Sequence, residues 1–165
     1  MAEQRAERIP LPWSRSCYVC GQDNPQGLRA RCFKVGDTVE LSLTTRREHS
    51  GWNDVIHGGF IATVLDEVMT WAAIVGSERP CFAAEFSIRM VEPLAPEIRC
   101  IAAARMTGAR RRIVDTEAWL RDDEGRTYAK ATGRYMPVPG SRMRHLRDDF
   151  VTSEECLDLA HIFGL

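Results

Sequence analysis

His57, Gly58 and Gly59 stand directly before an apolar run in which Asp66 is one of few polar residues. Two adjacent glycines let a carbonyl group approach the backbone closely, and the N–H groups at a helix start can hold a developing negative charge. A carboxylate further along the same helix is costly to bury, so one placed among apolar neighbours needs a task to justify it. These residue types in this order suit a site that polarises a carbonyl and attacks it.

The run itself is helical in pattern, with Phe60, Ile61, Ala62, Val64, Leu65, Val68, Met69, Trp71, Ala72 and Ala73 apolar. At about 100° per residue, Gly59, Thr63, Asp66 and Thr70 share a stripe roughly 60° wide. Such a stripe is either a solvent-facing seam or a line of small groups beside a bound ligand. Glu67 points roughly 100° away from Asp66 and reads as a structural or interfacial residue. Gly59 and Asp66 lie about 10 Å apart along one helix axis, too far for a single carbonyl to touch both. If the Gly59 N–H holds the oxygen and Asp66 acts on the carbon, the two come from different subunits. Two such helices meeting antiparallel about a twofold axis would create two equivalent sites, so the spacing predicts a dimer.

The elements that must position these groups follow from periodicity. Residues 1–16 read as a charged, proline-containing arm, 17–138 as one domain, and 139–165 as a linker with a short terminal helix. Alternation predicts strands over Leu28–Phe33 and Val39–Leu43, joined at Gly36-Asp37, then a polar loop from Thr45 to Ile56. The helix is expected from Gly59 to Val75 with a glycine stop at Gly76. Four strands follow: Phe82–Met90, Cys100–Met106 with a turn at Gly108, Ile113–Leu120, and Thr127–Met136. Ser153 to Phe163 is expected to be helical with Ser153 as its N-cap. Short hairpin connections favour an antiparallel sheet with one face covered by the single long helix, an α+β arrangement.

With 165 residues and 44% hydrophobic content, the chain can bury one sizeable core. A formal net charge of −1 gives no reason to expect nucleic acid as a partner. No apolar run approaches the roughly 20 residues that span a bilayer, and the charged N-terminus lacks an apolar leader, so a soluble, cytoplasmic protein without a membrane partner is expected. Cys81 and Cys100 read as buried hydrophobes. Cys17-Tyr18-Val19-Cys20-Gly21 could be half a zinc site or a redox pair. No second C-x-x-C exists, and Cys32 and His49 would be oddly spaced ligands, so the pair reads as structural or incidental and no metal is assigned.

The strand-strand-helix-four-strand order resembles the hotdog fold, and His57-Gly58-Gly59 with Asp66 resembles the PaaI-like branch of the acyl-CoA thioesterases. Cys20-Gly21-Gln22-Asp23-Asn24-Pro25-Gln26-Gly27-Leu28 is similar to the lead-in of many bacterial members. The resemblance covers roughly residues 17 to 138. It implies an antiparallel sheet wrapped around a central helix. It further implies that the Gly59 N–H polarises a thioester carbonyl, with Asp66 as general base or nucleophile. His57 would then shape the loop or contact substrate, and Thr70 would help place water.

Gly58, and Asn53 and His49 in the overhanging loop, are further candidate substrate contacts. Coenzyme A carries phosphates, so a basic patch is expected near the mouth. Arg110, Arg111 and Arg112 at a hairpin turn are the first candidates and Arg89 the next, with Arg142, Arg144 and Arg147 on the tail behind them. Phe60, Trp71, Phe82 and Phe86 are candidates for closing the acyl pocket. The expectation is a thioesterase acting on an acyl-CoA or acyl-carrier-protein thioester as a homodimer or dimer of dimers, with no cofactor. The alternatives are a non-catalytic acyl-CoA-binding or regulatory hotdog domain, which would gain little from a buried acid, and an enoyl-CoA hydratase.

Overall fold

A computed structural model of the chain describes residues 7–146 and 148–164. Strands β1 (Arg8–Pro10), β2 (Trp13–Ser14), β3 (Cys32–Val35), β4 (Thr38–Thr44), β5 (Ser50–Trp52) and β6 (Val55–Ile56) precede helix α1 (Gly58–Ser77). After it come β7 (Cys81–Met90), β8 (Arg99–Ala109), β9 (Val114–Asp122), β10 (Thr127–Pro137), β11 (Phe150–Val151) and α2 (Ala160–Phe163). Seven strands form one antiparallel sheet in the order β1-β3-β4-β8-β9-β10-β7. The sheet wraps around α1, the hotdog arrangement expected from the strand order.

Small residues allow that wrapping. Cys100, Ala102 and Ala104 on β8, and Ala129, Ala131 and Gly133 on β10, are buried beneath α1. They face Val64, Leu65, Val68 and Met69, which are at most 1% exposed. By length and composition α1 could cross a bilayer, contrary to the sequence expectation. Its apolar side is spent on the sheet instead.

Several boundaries differ from the sequence reading, each for a local reason. Gly76 does not stop α1, which runs to Ser77 and ends on Glu78 at φ 53°. A Cβ at Gly76 would come within 2.8 Å of Met106 Cβ, so this glycine serves helix–sheet contact. Gly108 is no turn either: β8 continues through it with a register shift after Met106. The predicted strand from Leu28 starts only at Cys32, because Arg29 adopts φ 51° and the Leu28 and Ala30 N–H groups bond to Tyr18 O and Val19 O. The helix expected from Ser153 is confined to Ala160–Phe163, and Ser153 caps nothing there. Leu157 N–H is taken instead by Pro10 O at 2.9 Å. Part of the expected arm is built into the fold: β1 edges the sheet, Leu11 is fully buried, and β2 pairs with β11. Arg147 lies outside the described residues.

β7 is the sheet's other edge, and it is open on both faces except at Cys81 and Ile88. Phe86 stands opposite Gly133 and Ile88 opposite Ala131, so these apolar side chains share the face that carries α1. Phe82, Phe86 and Met90 nevertheless remain 41 to 50% exposed.

Candidate active site

The start of α1 is held by its own cap. His57 is the N-cap residue in extended conformation, and the Gly59 N–H donates to His57 Nδ1 at 2.8 Å. That bond leaves Nε2 to carry the proton of the neutral ring. Thr63 Oγ1 donates to Gly59 O at 2.9 Å, tying the next turn down. Gly58, at the first helical position, has no intrahelical acceptor for its N–H. The loop before it is anchored by His49, which stacks on Phe60 with ring centroids 4.0 Å apart and accepts the His57 N–H on its carbonyl. Burial and the neighbouring Arg46 hold the His49 imidazole below its ordinary pKa.

Asp66 lies two turns on, half-buried, on the stripe with Thr63 and Thr70. Its Oδ1 accepts a hydrogen bond of 2.9 Å from the hydroxyl of Tyr135, a residue with no exposed surface. Burial raises the pKa of Asp66, and the Tyr135 hydrogen bond offsets part of that rise. Thr70 is also hydrogen-bonded to Tyr135, whose own pKa is pushed up by burial and by the Asp66 charge. A carboxylate, a phenol and a hydroxyl thus share one corner between α1 and β10. Such a carboxylate, oriented on one oxygen and partly desolvated, can take a proton from water or attack a carbon.

Tyr135 was not anticipated. Its signal was available in the alternation of the last strand, where Ala129, Ala131, Gly133 and Tyr135 share the inward parity and only Tyr135 carries a polar group. Beside His57 and Gly58 an apolar cleft of about 380 Å³ is lined by Trp52, Val55, Ile61, Met90 and Leu94 among others. A Cβ at Gly58 would lie 3.3 Å from Met90 Cε, which places the end of β7 against the helix start.

The other sequence candidates are dispersed within the chain. Asn53 sits exposed at the tip of the β5–β6 hairpin. Arg89 pairs across β7 and β10 with Lys130, on the sheet face opposite to Asp66, where a groove of about 490 Å³ also carries Arg105 and Arg121. Arg110, Arg111 and Arg112 form a tip beyond the C-terminal end of α1. There Arg79 donates to Arg110 O and Arg111 O, and Arg110 pairs with Asp115 at 2.7 Å. That end is about 30 Å from His57 along the 20-residue helix. Trp71 faces away from the polar stripe, packs edge-on to Phe163 and donates to Glu67, so it closes no pocket beside Asp66.

A family profile described as thioesterase superfamily matches residues 53–129, a stretch that spans the cap, α1 and Asp66. No curated protein matches the chain. Among solved structures, a thioesterase superfamily protein aligns with TM-score 0.68 and 20% identity, over 74% of this chain and 60% of its own. The chain therefore spans about 60% of that relative's length. The PaaI protein of the E. coli phenylacetic acid degradation operon aligns with TM-score 0.61 and 14% identity, over 67% of this chain and 80% of its own. A Streptococcus mutans protein bound to acetyl CoA aligns with TM-score 0.59 and 15% identity, over 62% and 82% of the two chains. With the sheet wrapped on one long helix and a His-Gly-Gly cap ahead of an acid, the chain has the hotdog fold of these structures, and its residues 53–129 resemble the thioesterase superfamily.

Proposed function

We propose that the protein hydrolyses an acyl-CoA thioester to the free acid and coenzyme A, with each site shared between two chains. The observation that carries this reading is Asp66: a half-buried carboxylate on the open stripe of α1, held on one oxygen by Tyr135. Asp66 acts as general base. It takes a proton from water, the water oxygen adds to the thioester carbon, and the oxyanion rests on the N–H of Gly59 of the partner subunit. Collapse breaks the C–S bond, and the thiolate leaves and is protonated. One such backbone donor is worth about 3 kcal/mol in the barrier.

For that N–H to serve, His57 Nδ1 must give up the bond it accepts, so the carbonyl oxygen replaces the ring nitrogen. His57 is a displaceable cap in this scheme. The face exposed along β7, with Phe86 and Met90 beside the polar stripe, is where a second copy packs. The cleft at Gly58 takes the apolar end of the substrate. Bound coenzyme A in the Streptococcus pneumoniae hypothetical thioesterase and acetyl CoA in the S. mutans protein support the substrate class.

The test is thiol release from a panel of acyl-CoAs by wild type and Asp66→Asn. Turnover that falls by about a hundredfold or more in the variant is expected. Acyl-CoA binding without turnover by the wild type would overturn the reading in favour of a binding domain.

A further inference from the structure

Cys17, Cys20 and Glu67 come together on the side of α1 away from the site described above. The lead-in Cys17-Tyr18-Val19-Cys20-Gly21 folds into a tight loop in which the Val19 and Cys20 N–H groups point at Cys17 Sγ, at 3.3 and 3.4 Å. Gly21 N–H closes it onto Cys17 O at 3.1 Å. A Cβ at position 21 would lie 2.3 Å from Cys17 O and 2.5 Å from Arg15 O, so only glycine permits this turn. Two amides aimed at one sulfur favour its thiolate, which is the form that ligates metals.

The loop is laid on α1 at Glu67. Cys17 Sγ is 3.8 Å from Glu67 Oε2, while Trp71 Nε1 donates to Oε1 at 3.0 Å and fixes the carboxylate's direction. The two sulfurs and a Glu67 oxygen all lie within 4.8 Å of one another. In a tetrahedral site with zinc–sulfur bonds of about 2.3 Å, neighbouring donor atoms are about 3.7 Å apart. Shifts of about an ångström therefore complete the set. We infer that Cys17, Cys20 and Glu67 hold one zinc ion, with water in the fourth position, and that the ion staples the lead-in to the middle of α1.

The local electrostatics agree. Burial and the nearby Cys17 push Glu67 up to about 7, and the Cys20 hydrogen bond leads in bringing Cys17 down to about 6. The Cys20 thiol is pushed far up by the same shared bond and by burial. Cys32, also buried, is not one of the three groups whose donor atoms gather there. Sequence spacing alone could not find this set, because its third donor comes from another element across the fold.

The experiment is metal analysis of the full chain, purified from zinc-supplemented culture, followed by Co(II) titration of the zinc-stripped protein. About one zinc per chain and the visible absorption of tetrahedral thiolate-bound cobalt are expected. Glu67→Gln, with its fold checked by circular dichroism, should weaken cobalt binding at least about tenfold, and Trp71→Phe should weaken it by a similar factor through the lost carboxylate contact. A wild type that holds no zinc after supplementation, or one that forms a Cys17–Cys20 disulfide in air in place of binding metal, would overturn the proposal. Cobalt affinity unchanged in Glu67→Gln would overturn the ligand assignment. None of these readouts depends on thioester hydrolysis.

Discussion

The hydroxyl of Tyr135 donates to Asp66 Oδ1 at 2.9 Å from a position with no solvent exposure. One carboxylate oxygen is thereby committed to the protein and the other is left to act. Removing the hydroxyl in Tyr135→Phe deletes a hydrogen bond to a charged group, a loss of about 1.5–3 kcal/mol. If Asp66 must be aimed to work, kcat should fall roughly tenfold to a hundredfold with KM little changed. A variant that loses only thermal stability would show Tyr135 to be a packing residue.

A base and a nucleophile leave different isotopic records. In a single turnover in ¹⁸O-water, a base-catalysed attack puts the label in the released acid and none in Asp66. Label found in the Asp66 side chain by peptide mass spectrometry would establish an acyl-enzyme anhydride instead.

Composite sites predict complementation. Gly59→Pro, in the first turn of α1, deletes the proposed oxyanion donor together with the cap bond to His57 Nδ1, and Asp66→Asn deletes the base. Each variant alone should be inactive. Random mixing by unfolding and refolding should restore about a quarter of wild-type activity, since half the dimers are mixed and each has one intact site of two. No recovery on mixing would place the chemistry within one chain.

His57 caps α1 through the Gly59 N–H. His57→Ala should cost about 1 kcal/mol of stability, the usual scale for losing an N-cap acceptor. In a chain of this length that is a fall in Tm of roughly 2–4 °C by calorimetry. Its effect on kcat should be much smaller than that of Asp66→Asn, because in the proposed mechanism the ring leaves the amide during turnover.

Asp149 supplies a pH-dependent tie between the two ends of the fold. It accepts hydrogen bonds from Ser14 Oγ, from Ser16 N–H at 3.0 Å and from Ser16 Oγ at 2.7 Å, and the Ser14 bond leads in lowering its pKa. A carboxylate with a depressed folded-state pKa stabilises the protein above its ordinary value, about 3.9, and loses that contribution as pH falls through the folded value. Wild type should therefore melt above Asp149→Asn at pH 7, and the gap should close in acid. A gap independent of pH would disprove the role.

How far the residues announced this structure depends on where their information sits. The helix announced itself because its cap, its apolar faces and its polar stripe are all local, and α1 spans Gly58–Ser77 against the expected Gly59–Val75. The strands of the main sheet were legible for the same reason, through period-two alternation. Gly76 and Gly108 misled because their use is decided by contact with Met106 and by a register shift, neither of which is local. At the candidate site, Asp66 stands out in the sequence as an acid on an apolar helix, whereas its hydrogen-bond partner Tyr135 meets it across 69 positions. The arginines were the least legible, because a charge on an exposed strand says nothing of which sheet face it occupies.

Among the described residues no strand pairs with the outer side of β7, which leaves ten residues of extended backbone and apolar side chains at the sheet's border. Sheet borders of this kind recruit any extended peptide they meet. In the proposed dimer a second copy covers this border, so dilution would carry a hazard of its own: loss to clumping that scales with time spent alone rather than with heat.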